Sequence, residues 1–494
     1  MGVLSGRETE RSGEGRRGFH RHRRPRVTRY SVVGLGKLGA SMAAAIASRG
    51  FDVIGVDVAE EAVDALNQGR APVQETGLAE LITEHRERLR ATTSHVEAIA
   101  ASDVTFVVVP TPSEESGSFS LDYATAALRD IAGALAEKDE YHLVVVTSTV
   151  LPGSTRHGLL PILESTGKSC GSDFGLCYSP EFIALGSVIH DFLNPDFLLI
   201  GESDRQAGLA LENTYREIVL NGAACCRMSF ENAELTKIAL NAYVTTKITF
   251  ANMLAELCEH IPGGDVDIVS DALGLDSRIG RKYLTGGLGF GGPCFPRDNL
   301  ALAHFARSMG ASAALPTATQ EVNDGLADRI VERLAAFLRP EDTVGVLGLA
   351  YKPFSHVVEA SQGMEIARRF AEGGFSVVAY DPLAASTARA DFAGGVEIVG
   401  AVGDVLRMAD AVVIATADPE FEQIKASDVQ VHGVTIVVDC WRLLAEHLAD
   451  VPSIQYLPVG RSAADQHNTA VLRNLWSTME PSARSGGRLH LRES

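Results

Sequence analysis

An α/β chain with two doubly wound domains joined by a long central helix is the fold class this sequence predicts, and three observations predict it. Short valine-rich runs alternate with helical patterns from Tyr30 onward, an uninterrupted apolar pattern of helical period fills Asn232–Cys258, and the alternation of strand and helix restarts at Thr343. Strands that alternate with helices imply parallel sheets covered on both faces, the Rossmann-like arrangement, here twice.

In order, Tyr30–Val33 reads as the first strand and feeds Gly34-Leu35-Gly36-Lys37-Leu38-Gly39 and the helical stretch Ala40–Ser48. Phe51–Asp57, Val104–Val109 and Leu143–Thr147 are further strands, with helical patterns such as Tyr123–Glu137 between them. In the central stretch Leu235, Ile238, Ala239, Ala242, Ile248, Met253 and Leu257 recur at helical spacing, which predicts one long helix connecting two domains and offering a dimer face. Thr343–Leu347, Phe375–Tyr380, Ala411–Thr416 and Val434–Val438 are the strands of the second domain. The resulting division is a basic tail over 1–29, a cofactor domain over 30–215, a central helical region over 216–315, a second Rossmann-like domain over 316–476 and a loose tail over 477–494.

The 494 residues suffice for about three folded units. With 46% apolar and 22% charged residues the chain is an ordinary globular one, and a net charge of −19 argues against non-specific nucleic-acid binding, which needs a basic surface. No apolar run approaches the roughly 20 residues of a membrane span, and the arginine-rich segment 1–29 has no apolar stretch for a secretory signal, so it reads as a disordered tail outside the fold. The seven cysteines are odd in number, and no CxxC or His pair has zinc-ligand spacing. That predicts reduced thiols in a cytoplasmic protein, mostly small buried hydrophobes, and no metal.

Four constellations carry chemistry. Gly34, Gly36 and Gly39 follow a strand and open a helix, with Asp57 closing the next strand, the spacing of a dinucleotide fingerprint in which the glycines make the turn, admit a pyrophosphate and pack helix on strand. A carboxylate at Asp57 suits ribose hydroxyls and repels a 2′-phosphate, which favours NAD over NADP. Gly289 through Asp298 surrounds Cys294 with small or chain-bending residues, so backbone can approach a ligand closely; a turn holding a buried cysteine and a solvated Asp298 reads the same residues. Lys237 and Asn241, four apart, share a helix face and can form an oxyanion site, or a merely solvated face. Glu181, between Pro180 and Phe182, has the setting of a partly desolvated base.

Together these motifs resemble the UDP-glucose/GDP-mannose dehydrogenase family, from about Tyr30 to Arg461, with Val109–Pro112, Ser148–Gly153, Asp276–Gly280 and Gly348–Lys352 as supporting runs. The resemblance implies that NAD binds the first domain through Gly34, Gly36, Leu38, Gly39, Asp57, Thr111 and Thr149, and a nucleotide sugar the second, with Phe182, Arg278, Tyr283, Gly291 and Lys352 as substrate contacts. Arg278 is expected to reach the neighbouring subunit's substrate in a homodimer or higher oligomer. It also implies a four-electron oxidation at C6, UDP-glucose first among substrates. Lys237, Asn241 and Asp298 handle the alkoxide and its proton, Cys294 forms a thiohemiacetal and then a thioester, and Glu181 and Thr111 manage the hydrolytic water. An ammonium at Lys237 close to Cys294 should favour the thiolate.

This sequence departs from the family pattern at several substrate-domain positions. Glu359 stands where an arginine is usual, and Asp439-Cys440-Trp441 replaces Asp-Gly-Arg, with Arg442 one place later. Thr147, Pro293 and Arg297 replace a lysine, a serine and a lysine. Two other classes account for part of the pattern: a 6-phosphogluconate-type two-electron dehydrogenase, which needs neither Cys294 nor a second Rossmann-like unit, and a non-catalytic binder on the same scaffold. A family member that stops at the aldehyde, or acts on another sugar nucleotide, is the nearest variant.

Overall fold

The computed structural model describes residues 28–183, 186–392, 394–462 and 466–477; the basic segment 1–27 and the tail beyond Ser477 lie outside them. The first sheet has strands β1 (Tyr30–Val33), β2 (Val53–Val56), β3 (Leu89–Thr92), β4 (Val104–Val107), β5 (His142–Val146), β6 (Phe174–Tyr178), β7 (Phe197–Glu202) and β8 (Ala224–Met228), in the order β3-β2-β1-β4-β5-β6-β7-β8. The chain returns to the middle of the sheet at β1/β4, so the carboxyl ends of these two strands flank a crevice, the place where open α/β sheets bind ligands. The sheet is not wholly parallel: β7 pairs antiparallel with β6. β8 lies past the boundary expected at residue 215, so the first unit runs further than the sequence suggested. Nearly continuous burial of β1, β2, β4, β5 and β6 reflects helices on both faces and explains their unbroken Val/Ile/Leu character.

Helix α1 (Lys37–Ser48) follows β1. Helix α2 (Phe230–His260) is 31 residues long and capped by Ser229, whose side chain accepts from Asn232 N. Short helix α3 (Val266–Gly274) follows, and α4 (Phe295–Ser308) begins directly after Cys294 with Pro296 in its first turn, where a missing N–H costs nothing. The second sheet comprises β9 (Thr343–Leu347), β10 (Ser376–Tyr380), β11 (Val396–Ile398), β12 (Ala411–Ile414), β13 (Ile436–Asp439) and β14 (Gln455–Pro458). Its order is β11-β10-β9-β12-β13-β14, with every pair parallel. Among the described residues no helix is long and apolar enough to cross a membrane.

The two sheets repeat one device. Gly34 after β1 has φ +97° and Gly348 after β9 has φ +101°; a Cβ on either would run into the neighbouring strand's end, Val108 in one case and Thr416 in the other. Asp57 and Asp381 then accept backbone N–H groups of Leu35 and Leu349. The copies differ in what comes next. In the first domain α1 starts at once, whereas in the second a strap, residues 351–361, precedes α5 (Gln362–Glu372). Asp381 is 3% exposed and accepts four N–H groups, from Leu349, Ala350, Leu383 and Ala384, so its oxygens are already engaged by the fold.

All seven cysteines are free, but the expectation that most are buried fails. Cys177, Cys258 and Cys440 are buried, Cys170 and Cys225 half-buried, and Cys226 and Cys294 exposed. Cys226 sits on β8, an edge strand covered on one side only.

Candidate active site

A cavity of about 620 Å³ opens at the β1/β4 crevice and is lined by Gly34, Gly36, Lys37, Leu38, Gly39, Asp57, Val108, Thr111, Thr149, Glu181 and Arg297 among others. The glycines fit a dinucleotide for three separate reasons. Gly34 needs its positive φ; a Cβ on Gly39 would strike the carbonyl of Gly34; and a Cβ on Gly36 meets no protein atom within 4 Å, so it would instead fill the cradle. The N-terminus of α1 faces this space, where a pyrophosphate gains backbone N–H groups and the helix dipole. Asp57 accepts from Leu35 N at 2.6 Å and from Ala59 N at 2.9 Å, which fixes the carboxylate while leaving lone pairs for ribose hydroxyls. Thr111 donates to the carbonyl of Thr149 at 2.7 Å, joining the loops after β4 and β5.

Next to this cavity, behind its lining residues Glu181 and Arg297, α2 packs on α4. Lys237 and Asn241 are each 8% exposed and Asp298 1%, so neither the solvated helix face nor the solvated aspartate is what these residues form. Asn241 Nδ2 donates to Asp298 Oδ2 at 2.6 Å. Lys237 Nζ donates to the carbonyl of Glu181 at 2.6 Å and lies 4.7 Å from the centre of the Phe182 ring. Burial pushes the Lys237 ammonium down and the Asp298 carboxyl up, each partly opposed by the other's charge. The two shifts run toward each other, which narrows the gap in proton affinity between the ammonium and the carboxylate. Among the described residues Asp298 Oδ1 is buried without a hydrogen bond and has an ion-pair contact of 3.6 Å to Arg297 Nε, so an acceptor remains for a hydroxyl or water. Burial raises Glu181 to about 7 against the opposing charge of Lys237, the range of a general base at physiological pH.

Cys294 stands at the N-cap position of α4 and is exposed; it lines neither this cavity nor the one beside its own loop, although its chain neighbours Gly291 and Phe295 line the latter. The expected thiolate does not follow from this geometry. Burial, then the charge of Asp298, push the Cys294 thiol up, and Lys237 and Arg297 only partly offset them; Glu359 adds to the rise. The geometry therefore favours the protonated thiol.

A second cavity, of about 320 Å³, lies beside the Cys294 loop and is lined by Tyr283, Gly289, Phe290, Gly291, Phe295, Tyr351, Lys352 and Trp441. A Cβ on Gly291 would collide with the Ala360 carbonyl, and Gly292 N donates to the Glu359 carbonyl at 2.9 Å, so the strap lies directly on this loop. Trp441 is held by Nε1 donating to the Ala415 carbonyl at 2.9 Å. Arg442 does not supply the missing cation: with φ +61° it turns away and pairs with Asp267 at 2.7 and 2.8 Å. Phe182 lines neither cavity and acts instead beneath Lys237. Arg278 also stands apart; its side chain is 85% exposed and pairs with Asp276.

Two residues take roles that the sequence reading did not assign to them. Glu234, fully buried, accepts from Gly153 N at 2.6 Å and Thr155 N at 2.8 Å, clamping α2 to the loop that carries Thr149. Its spacing of three and seven from Lys237 and Asn241 was the available signal. Arg297 donates to the Thr111 carbonyl at 2.9 Å and stacks 4.4 Å from the Phe119 ring, tying α4 to the cofactor loop.

The chain matches the UDP-glucose/GDP-mannose dehydrogenase family in three segments: its NAD binding domain at residues 28–219, its central domain at 231–325 and its UDP binding domain at 345–446. It is 38% identical to a UDP-glucose 6-dehydrogenase of Haloferax volcanii over 79% of this chain and 91% of that protein. It is 36% identical to a GDP-mannose 6-dehydrogenase of Pseudomonas putida over 72% and 80%. A solved UDP-glucose dehydrogenase from Pyrobaculum islandicum superimposes with a TM-score of 0.79 at 36% identity, covering 91% of this chain and 100% of that one.

Proposed function

This chain belongs to the UDP-glucose/GDP-mannose dehydrogenase family and is an NAD-dependent nucleotide-sugar 6-dehydrogenase; from that premise we propose that it carries UDP-glucose to the uronate through a covalent adduct on Cys294. The observation that carries this reading is an accessible thiol beside a buried Lys237–Asn241–Asp298 cluster and a base, Glu181, tuned to about 7. A two-electron alcohol dehydrogenase has no use for the thiol, and a pure binder has no use for nucleophile and base together.

Gly34, Gly36, Leu38, Gly39, Asp57, Thr111 and Thr149 would hold NAD, a fresh molecule for each oxidation, each molecule supplying the acceptor for one hydride. Lys237 and Asn241 stabilise the C6 oxygen as its proton passes to the Asp298 side. Once C6 is an aldehyde, Cys294 Sγ adds to it, giving its proton to the cluster, and the carbonyl oxygen becomes the hydroxyl of a thiohemiacetal. Loss of the remaining C6 hydrogen as hydride, with the hydroxyl proton going to the cluster, leaves a thioester. Water then attacks, Glu181 accepts its proton, and the carboxylate leaves as the thiol is restored. Tyr283, Gly291 and Lys352 would contact the nucleotide sugar, Lys352 as the cation for its phosphates.

The same reading makes the working unit a homodimer or larger. α2 exposes Tyr243, Phe250, Met253 and Leu257, α3 exposes Ile268 and its C-cap residue is the exposed Leu275, apolar side chains of the kind subunit interfaces cover; Arg278, now paired with Asp276, would exchange that partner to reach across. Seven free thiols support a cytoplasmic setting. Trp441 and Glu359 favour a second reading, in which another nucleotide hexose is preferred. NADH release measured against a panel of UDP-, GDP- and dTDP-sugars, with product identified as uronate or aldehyde, tests both; no NADH from any of them sinks the proposal.

A further inference from the structure

Lys37 stands inside the Gly34–Gly39 turn as the first residue of α1, and it is among the residues that line the larger cavity. Its Nζ is 3.0 Å from Nε2 of His356, which belongs to the strap of the second domain, 319 residues away. An ammonium has donors only, so the imidazole nitrogen must be the acceptor and His356 is neutral in this pair, with its proton on Nδ1.

That choice of partner matters. A carboxylate at this point would cancel the lysine's charge, whereas a neutral imidazole fixes the direction of the ammonium, leaves its charge whole and leaves two N–H donors free. The surroundings need that charge. Asp57, Asp130 and Glu181 line the same cavity, and its other fixed cation, Arg297, is committed to the Thr111 carbonyl and to Asp298.

We propose that Lys37, positioned by His356 from the second domain, is the cation that holds the cofactor's pyrophosphate. This rests on the reading that the Gly34–Gly39 turn receives that pyrophosphate. His356 does not line the cavity and so acts through Lys37, as a positioning residue. The consequence is mechanical as well as electrostatic. The strap that carries His356 also supplies Tyr351 and Lys352 to the second cavity and the Glu359 carbonyl to the Cys294 loop. A cofactor bound against Lys37 therefore steadies the element that shapes the substrate site.

The test is binding, not turnover: calorimetric titration of the full chain with NAD, ADP and adenosine. Lys37→Met should weaken NAD and ADP about tenfold and leave adenosine unchanged, the scale of one lost charge-assisted contact. His356→Leu should weaken ADP several-fold, His356→Gln, which keeps an acceptor, should restore most of it, and in a Lys37→Met background His356→Leu should do nothing further. The proposal is overturned if His356→Leu leaves ADP untouched, weakens adenosine as much as ADP, or acts equally with and without Lys37. If the parent chain binds ADP no better than adenosine, the placement of the pyrophosphate itself is wrong.

Discussion

The 2.6 Å bond from Asn241 to Asp298 joins α2 to α4 across 57 residues of sequence and sets the position of a buried carboxylate whose charge reaches the thiol of Cys294, four residues before it. Asp298→Asn keeps the shape of that pair and removes the charge and the proton acceptor. We expect kcat to fall about 10²- to 10⁴-fold, the usual worth of a positioned acid–base group, with NAD affinity unchanged. Steady-state kinetics beside calorimetry decides it; a loss of NAD affinity matching the loss of rate would mean that the pair is only structural.

Asp57 is expected to choose NAD over NADP, because its fixed carboxylate would face a 2′-phosphate. The specificity constant for NAD should exceed that for NADP by about 100-fold, on the scale of a few kcal/mol for a like-charge contact. Asp57→Ser should narrow the gap and also raise KM for NAD, since the Leu35 N–H loses its acceptor. Equal constants in the parent would show that Asp57 does not meet the ribose.

Burial places Glu181 at about 7, above its ordinary value, so the base form is lost as pH falls through 7. Where hydrolysis limits turnover, kcat should drop about tenfold per pH unit below that point, and acid-quenched enzyme should retain covalently bound sugar. Glu181→Gln should abolish the limb and trap the adduct at every pH. The stability sign is opposite: a raised carboxyl favours the fold while protonated and loses that advantage as pH rises through about 7, so Glu181→Gln should melt no lower than the parent at pH 8.

The sequence was informative where period and spacing decide structure, and silent where through-space charge does. The unbroken apolar period after Asn232 announced α2, and the glycine spacing announced the cofactor turn, because both are local. The antiparallel turn at β7 was hidden, since a buried strand looks alike in either direction. Lys237, Asn241 and Asp298 could be placed on faces but not in one cluster until α2 and α4 were packed together. The rise of the Cys294 thiol was illegible because it depends first on burial, then on Asp298 and Glu359 outweighing Lys237 and Arg297, groups that arrive from three elements at once.

Glu359 and Trp441 should be felt in substrate choice. Glu359→Arg exchanges a carboxylate near the thiol for a cation, so alkylation of Cys294 at pH 7 should quicken and affinity for a diphosphate sugar should rise. Trp441→Arg should shift the ranking among nucleotide sugars, since an indole wall offers stacking where a guanidinium offers charge. A UDP-glucose specificity constant at least about tenfold above every other sugar in the parent, unmoved by either change, would show these positions to be neutral.

Cys294→Ala should separate the two oxidations. The parent is expected to release two NADH per sugar. The first oxidation needs an oriented C6 hydroxyl and a proton acceptor, and Lys237, Asn241 and Asp298 stay in place when the thiol is removed, because the side-chain hydrogen bonds that hold them run to one another and to the Glu181 carbonyl. The second needs a carbon bearing both a hydrogen and an oxygen that can collapse to a carbonyl, which the free aldehyde lacks until a nucleophile adds. Water can add, but it is a poorer and less positioned nucleophile than sulfur. The variant should therefore fold, bind NAD and nucleotide sugar as the parent does, and lose nearly all net turnover with at most a trace of aldehyde. The raised thiol adds a second mark: in the parent, iodoacetamide inactivation should steepen through alkaline pH and should spare the enzyme at pH 6, where a thiol with a depressed pKa would still react. Uronate formed by Cys294→Ala at close to the parent rate would make Cys294 a packing residue and end the covalent mechanism.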